Sequence, residues 1–200
     1  MEIRIKRANV TDLDELMRWR EVVLREVFSI PAGENMDGLL AANREYYHTA
    51  LKREEHIACF AYADECSDTE PVGCGGVCLY QEMPSPDNPT GKCAYLMNIY
   101  TVPAVRQHGV GKAVVEWLVQ EAKRWAAGKI YLEASEKAKA LYKELGFYDM
   151  EGYYKYRGNP PGEFPVIIIF LRTAENSKIN RLKQLIASFP CIRKLRDSAI

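Results

Sequence analysis

Neither sign of charge prevails in this sequence. Lys plus Arg and Asp plus Glu each total 27, a formal net charge of zero. Without a basic excess there is no broad electrostatic footprint for nucleic acid, so no such partner is expected. Long apolar runs are also missing: no stretch reaches the roughly 20 residues that span a bilayer. The opening MEIRIKRANV does not have the character of a secretory signal. These absences predict a soluble, cytoplasmic protein with no membrane partner. C-x-x-C pairs are lacking too, and no histidine stands where it could complete a zinc site. The six cysteines are Cys59, Cys66, Cys74, Cys78, Cys93 and Cys191. Four lie in apolar, strand-like runs and read as buried, reduced thiols, with no metal expected.

What is present is a regular alternation of elements in a chain of 200 residues, a length suited to one sizeable core. IRIKRAN alternates as a strand. Thr11 is placed as an N-cap, and Leu13, Leu16, Met17, Leu24 and Val27 keep helical spacing to about Phe28. SIPAGENMDG breaks that helix and LLAANREYYHTALKREE forms a second. Three strands follow: HIACFAYA, VGCGGVCLYQ and KCAYLMNIYTV. The three glycines of the middle strand predict a bulge or a close backbone approach. The apolar centre of the third strand predicts burial on both faces.

Val114, Trp117, Leu118, Ala122 and Trp125 stripe a helix expected to end at Gly128. KIYLEAS is a strand. Ser135 is placed to cap a short helix carrying Ala138, Leu141, Tyr142 and Leu145, with Gly146 as its stop. FYDMEGYYKY and VIIIFLR read as a closing antiparallel pair. The class is α+β: a mixed, mostly antiparallel, twisted sheet of about seven strands with flanking helices and one parallel crossover.

The chemistry concentrates at Arg106-Gln107-His108-Gly109-Val110-Gly111-Lys112, between a strand and a helix. A helix start offers unpaired N–H groups and a partial positive charge, so phosphate suits it. Gly109 and Gly111 clear the approach, while Arg106 and Lys112 add charge. A tight turn without a ligand would use the same glycines. A Walker loop fails, because Arg106 stands where glycine is needed and Ala113 follows Lys112. A dinucleotide-binding fingerprint comes closer, with Glu133 ending the next strand, but Val114 replaces its third glycine.

VRQHGVGKAVVEWL resembles motif A of the GNAT superfamily of N-acetyltransferases, R/Q-x-x-G-x-G/A. KAKALYKELGF resembles that family's second signature, an Ala-x-x-Leu-Tyr helix ending in Gly-Phe. The resemblance covers residues 1–172. Residues 173–200 read as a separate amphipathic helical extension, whose Ile179, Leu182, Ile186 and Phe189 are expected to pack on the domain or across a homodimer. Gln107 stands where glycine is frequent, and Ser135 where many members have Asn.

The resemblance implies that acetyl-CoA is the co-substrate, held at its pyrophosphate by Arg106 to Lys112. Its pantetheine arm would lie along the backbone of Ile99, Tyr100 and Thr101, with Ser135 nearby. It implies direct attack of an amine on the thioester, with Tyr142 as general acid. On apolar spacing alone Tyr142 is a core residue. Glu82 and Glu133 are the carboxylates nearest the expected cleft; each could be the base or a solvated strand-end charge. The acceptor is a small-molecule or peptide amine. Tyr46, Tyr47, Tyr95, Tyr153 and Tyr154 are candidates to wall its pocket. A non-catalytic acyl-CoA sensor is the alternative from a different class.

Overall fold

A computed structural model describes residues 2–63, 70–150 and 153. The chain divides into two units, Met1–Asp149 and Met150–Ile200, and the fold below is that of the first. The tail and the expected boundary at residue 172 lie outside the described residues.

Five strands, β1 (Ile3–Ala8), β2 (His56–Ala63), β3 (Gly73–Gln81), β4 (Lys92–Thr101) and β5 (Lys129–Leu132), form one sheet in chain order. The first four are antiparallel neighbours; β5 joins β4 in parallel through the crossover helix α3 (Val110–Arg124). The sequence pattern predicts about seven strands. Residues 147–150 carry no strand, and the rest of the expected closing pair lies outside the described residues.

Each face of the sheet carries its own core. Ile57, Cys59 and Ala61 of β2 point with Val77, Leu79 and Leu96 toward α3, where Val110, Val114 and Leu118 meet them. The alternate residues Ala58, Phe60 and Tyr62 point toward α1 (Leu13–Val27) and α2 (Asp37–Lys52), against Leu16, Trp19, Val23 and Tyr47. This is the period-two alternation of a strand covered on both sides. The fully buried strand is β2, whereas β4, expected to be so, is only partly buried at Met97, Asn98, Ile99 and Thr101. Its parallel partner stops short there.

The glycines of β3 admit α3. A Cβ built on Gly75 would lie 2.5 Å from Val114 Cγ1 and 3.0 Å from Leu118 Cδ1. The helix therefore rests directly on the strand, which fixes where its N-terminus falls.

Helix ends depart from the expectation at three places. The cap before α1 is Asn9, not Thr11: Asn9 Oδ1 accepts from the Thr11 N–H at 2.8 Å, and Asp12 accepts from the Asn9 N–H at 2.9 Å. This box closes a short 3₁₀ turn that α1 continues. The crossover helix stops at Arg124, with Ala126 left-handed at φ 63° and the Ala127 N–H bonded back to Ala122 O. Gly128 is instead small because the buried Asn88 side chain lies against it. Ser135 precedes a 3₁₀ turn as placed, but its side chain makes no capping bond; its carbonyl accepts from the Ala138 N–H at 2.9 Å.

Candidate active site

Pairing of β4 with β5 runs only from Cys93↔Lys129 to Leu96↔Leu132. Beyond it β4 continues to Thr101 while the segment after β5 leaves as Glu133, Ala134 and Ser135. The edge of β4 from Met97 to Thr101 thus has no β5 partner, and backbone groups at such an edge need other partners. Just past the last pair, β4 bulges: Asn98 and Ile99 together oppose Gly75, between Cys74↔Tyr100 and Gly76↔Met97. Asn98 is left-handed at φ 56°, a conformation that Asn tolerates better than most residues.

The glycine turn follows the opened end. Gly109 is the N-cap of α3 at φ 87°, where an L side chain would be strained. The first ladder bond is Ala113 N–H to Gly109 O at 2.9 Å. The amides of Val110, Gly111 and Lys112 precede it and have no chain partner among the described residues. No acidic residue sits in the first turn, which leaves the positive end of the helix dipole uncompensated.

Gly111 is more informative. It lies inside the helix, and a Cβ there would meet nothing closer than Leu141 Cδ2 and Thr101 Oγ1, both at 3.6 Å. Neither backbone strain nor crowding by the chain requires glycine there. That point also joins the elements: β4 supplies Thr101, α3 supplies Gly111, and α4 (Lys139–Glu144) supplies Leu141.

Arg106 does not stand free. It donates to Glu26 Oε1 at 2.5 Å and to Thr101 O at 2.9 Å, and lies over the Tyr100 ring. The Tyr100 hydroxyl also donates to Glu26, at 2.6 Å. Those bonds, from Tyr100 first and then Arg106, hold the Glu26 carboxyl below the usual range. Burial, then Glu26, pushes the Tyr100 phenol up to about 12. Lys112 is paired with Glu144 at 2.5 Å, and His108 Nδ1 lies 2.8 Å from the Arg106 carbonyl. Gln107 holds φ 66°, which explains why glycine suits that slot.

Tyr142 is 8% exposed and packs edge-on against Phe147 in the core on the α3 side. Its hydroxyl makes no hydrogen bond among the described residues, and burial raises its pKa. Glu133 is exposed, directly past the last β5 residue.

Glu82 is elsewhere. It pairs with Lys129 at 3.2 Å, beside the first residues of β4 and β5. At about 3.3 Å per residue, Cys93 to Thr101 spans roughly 25 Å, so Glu82 is not brought to the opened end. Cys93 and then Lys129 hold its carboxyl in the charged form.

The tyrosines are dispersed as well. Tyr47 is buried and accepts from Asn98 Nδ2 at 3.3 Å. Tyr95 stacks on Tyr131, with ring centroids 4.9 Å apart. Tyr46 lines a cleft of about 390 Å³ with Glu55, Cys78 and Tyr80. Tyr154 lies outside the described residues. Glu26, Arg20 and Asn98, which the sequence pattern does not single out, are in contact with this region. Only Asn98 carries a signal, as a lone polar residue in an apolar strand.

A bulged strand parting from its parallel neighbour, beside a helix start with open amides, suits an extended ligand that carries an anionic group. The chain matches the model of the acetyltransferase (GNAT) family over residues 14–147, and it belongs to that family. No curated protein matches it significantly. Among solved structures, it is similar to a predicted acetyltransferase of Clostridium acetobutylicum with acetyl-CoA. The two share 24% identity over 78% of this chain and 96% of that one, with a TM-score of 0.68. A GCN5-related N-acetyltransferase of Ralstonia eutropha is 22% identical over 78% and 99%, with a TM-score of 0.62. Glucosamine-6-phosphate N-acetyltransferase of Arabidopsis thaliana is 16% identical over 80% and 100%, with a TM-score of 0.58. At such identities the structural likeness speaks for the fold. No helix among the described residues is long and apolar enough to cross a membrane.

Proposed function

We propose that this protein transfers the acetyl group of acetyl-CoA to the amine of a small molecule or peptide by direct attack. The observation that carries this reading is Gly111, a glycine that the chain itself does not need, at a helix start with three open amides. In this reading the pyrophosphate takes those amides. Arg106 turns from Glu26 toward it, and the pantetheine arm lies along the free edge of Ile99, Tyr100 and Thr101. Lys112 and His108 flank the phosphates, and Ser135 faces the arm.

The reaction forms a C–N bond and breaks a C–S bond. The attacking ammonium must first give up a proton, for which Glu133, directly or through water, is the carboxylate at this end of the sheet. The departing thiolate needs a proton in a largely dry cleft. Tyr142 is suited to supply it. Its phenol is protonated at neutral pH, burial keeps it so, and its donor is uncommitted among the described residues. Similar structures include a glucosamine-6-phosphate N-acetyltransferase and an aminoglycoside N-acetyltransferase, so the acceptor panel should be broad.

The test is calorimetric titration with acetyl-CoA, followed by thiol release with polyamines, aminoglycosides, amino acids and a peptide. Acetyl-CoA binding and amine-dependent thiol release are expected. Binding without release for every amine would favour the sensor reading, and no binding would refute the assigned site.

A further inference from the structure

The left-handed turn of β4 at Asn98 is fastened from outside the strand. Arg20, on α1, donates from Nη1 to Asn98 Oδ1 at 2.9 Å and from Nε to Asn43 Oδ1 at 2.8 Å. Asn43 is itself tied to α2 through the Leu39 carbonyl at 2.8 Å. The other end of the Asn98 amide donates to Tyr47 Oη at 3.3 Å, and the Cys74 thiol donates to the Asn98 carbonyl at 3.5 Å. Side chain and backbone of this one residue are therefore held by α1, α2 and β3 together. Arg20 forms no ion pair among the described residues; its half-buried charge is directed at two amide oxygens.

The bulge has a defined consequence. Two residues of β4 oppose one of β3, so the bulge sets the phase of everything after it. Ile99 packs toward α3, and Tyr100 packs toward α1. Without the bulge Ile99, Tyr100 and Thr101 would exchange faces, and the free amides and carbonyls of the opened edge would change their aim.

We propose that Arg20 is a positioning residue for the acyl carrier: by gripping Asn98 it holds the β4 bulge, and so the backbone edge along which acetyl-CoA lies. The inference rests on the acetyl-CoA reading above. It asks for one thing that simple packing does not. Glycine adopts a left-handed φ without help from a side chain, so replacing Asn98 by glycine should remove the need for Arg20.

The experiment is a double-mutant cycle on acetyl-CoA affinity, read by calorimetry on the full chain. Arg20→Leu is expected to weaken binding about tenfold or more, and Asn98→Gly to leave it within about threefold. Arg20→Leu added to Asn98→Gly should cost less than about a further threefold. Equal losses in both backgrounds, or no loss from Arg20→Leu in a folded protein, would overturn the inference while leaving the cofactor reading intact. A wild-type protein that does not bind acetyl-CoA would overturn both. Should Arg20→Leu fail to fold by circular dichroism, Arg20→Lys, which keeps the charge but loses the forked geometry, replaces it in the same cycle.

Discussion

Substitutions at Gly111 should separate stability from cofactor affinity, with alanine testing the first and valine the second. In the protein alone the added methyl meets Leu141 Cδ2 and Thr101 Oγ1 at 3.6 Å, an ordinary contact. Alanine is favoured over glycine in a helix by about 0.5–1 kcal/mol, and Gly111 lies in the first turn of α3. A gain near the lower bound corresponds to about 1–2 °C in Tm for a unit of this size. Motif A itself admits alanine at this position, so a single methyl should leave pyrophosphate binding nearly intact, whereas the branched side chain of Gly111→Val stands in front of the open amides. Losing one charge-assisted hydrogen bond is worth about 1.5–3 kcal/mol, or roughly 10- to 100-fold in Kd.

The assay pairs thermal melting without ligand with calorimetry of acetyl-CoA. A useful control is Gly109→Ala, where φ 87° imposes about 1–2 kcal/mol of strain and the unliganded protein itself should melt lower. If Gly111→Val binds acetyl-CoA as tightly as wild type, the phosphate does not approach this turn and the assignment fails. A Gly111→Ala variant that melts several degrees lower would show instead that the chain needs that glycine.

Tyr142→Phe should leave melting nearly unchanged, because the hydroxyl has no partner among the described residues, while turnover with a confirmed acceptor drops about 100-fold. Since burial raises the Tyr142 pKa, any alkaline loss of kcat due to its ionisation should begin above the ordinary tyrosine value of about 10 and be missing from the Phe variant. Glu26→Gln should tighten acetyl-CoA binding by up to about fivefold, since an exposed ion pair of about 0.2–1 kcal/mol no longer competes for Arg106; weaker binding would mean that Glu26 aims Arg106 instead. His56 is buried, and burial, with Arg20 second, lowers its pKa to about 4. The unfolded chain therefore takes up this proton first as pH falls, so the stabilisation present above about 6.5 is lost between there and about 4, to the extent of about 3 kcal/mol. Urea melts at pH 7 and pH 4 should show that loss, and His56→Leu should flatten it.

Much of this protein can be read along the chain. Hydrophobic period is local information, and it sets the order of strands and helices and the crossover at α3. Glycines are local information too, and those of β3 announce the close approach that Gly75 makes with α3. The two signatures, around Gly109 and around Tyr142, are contiguous stretches, so the family is legible without any contact across the fold. Helix ends are less legible, because Ser29, Glu54 and Ala126 hold left-handed turns that sequence rules assign to glycine. There tertiary packing, and not propensity, decides the stop.

Other features depend on distance across the fold, which no local pattern carries. Glu82 and Glu133 look alike as strand-end carboxylates; only strand register sends one to Lys129 and leaves the other at the opened end. Glu26 reaches Arg106 across 80 positions, and Arg20 reaches Asn98 across 78. Such contacts exist because α1 packs across the sheet, and nothing in the neighbourhood of either residue announces its partner. The sequence by itself determined which elements form and which turn suits an anion, since both follow from local backbone chemistry. The tertiary structure alone decided which charges meet and where the strand opens, since those are set by register and by the packing of helices that lie far apart in the chain.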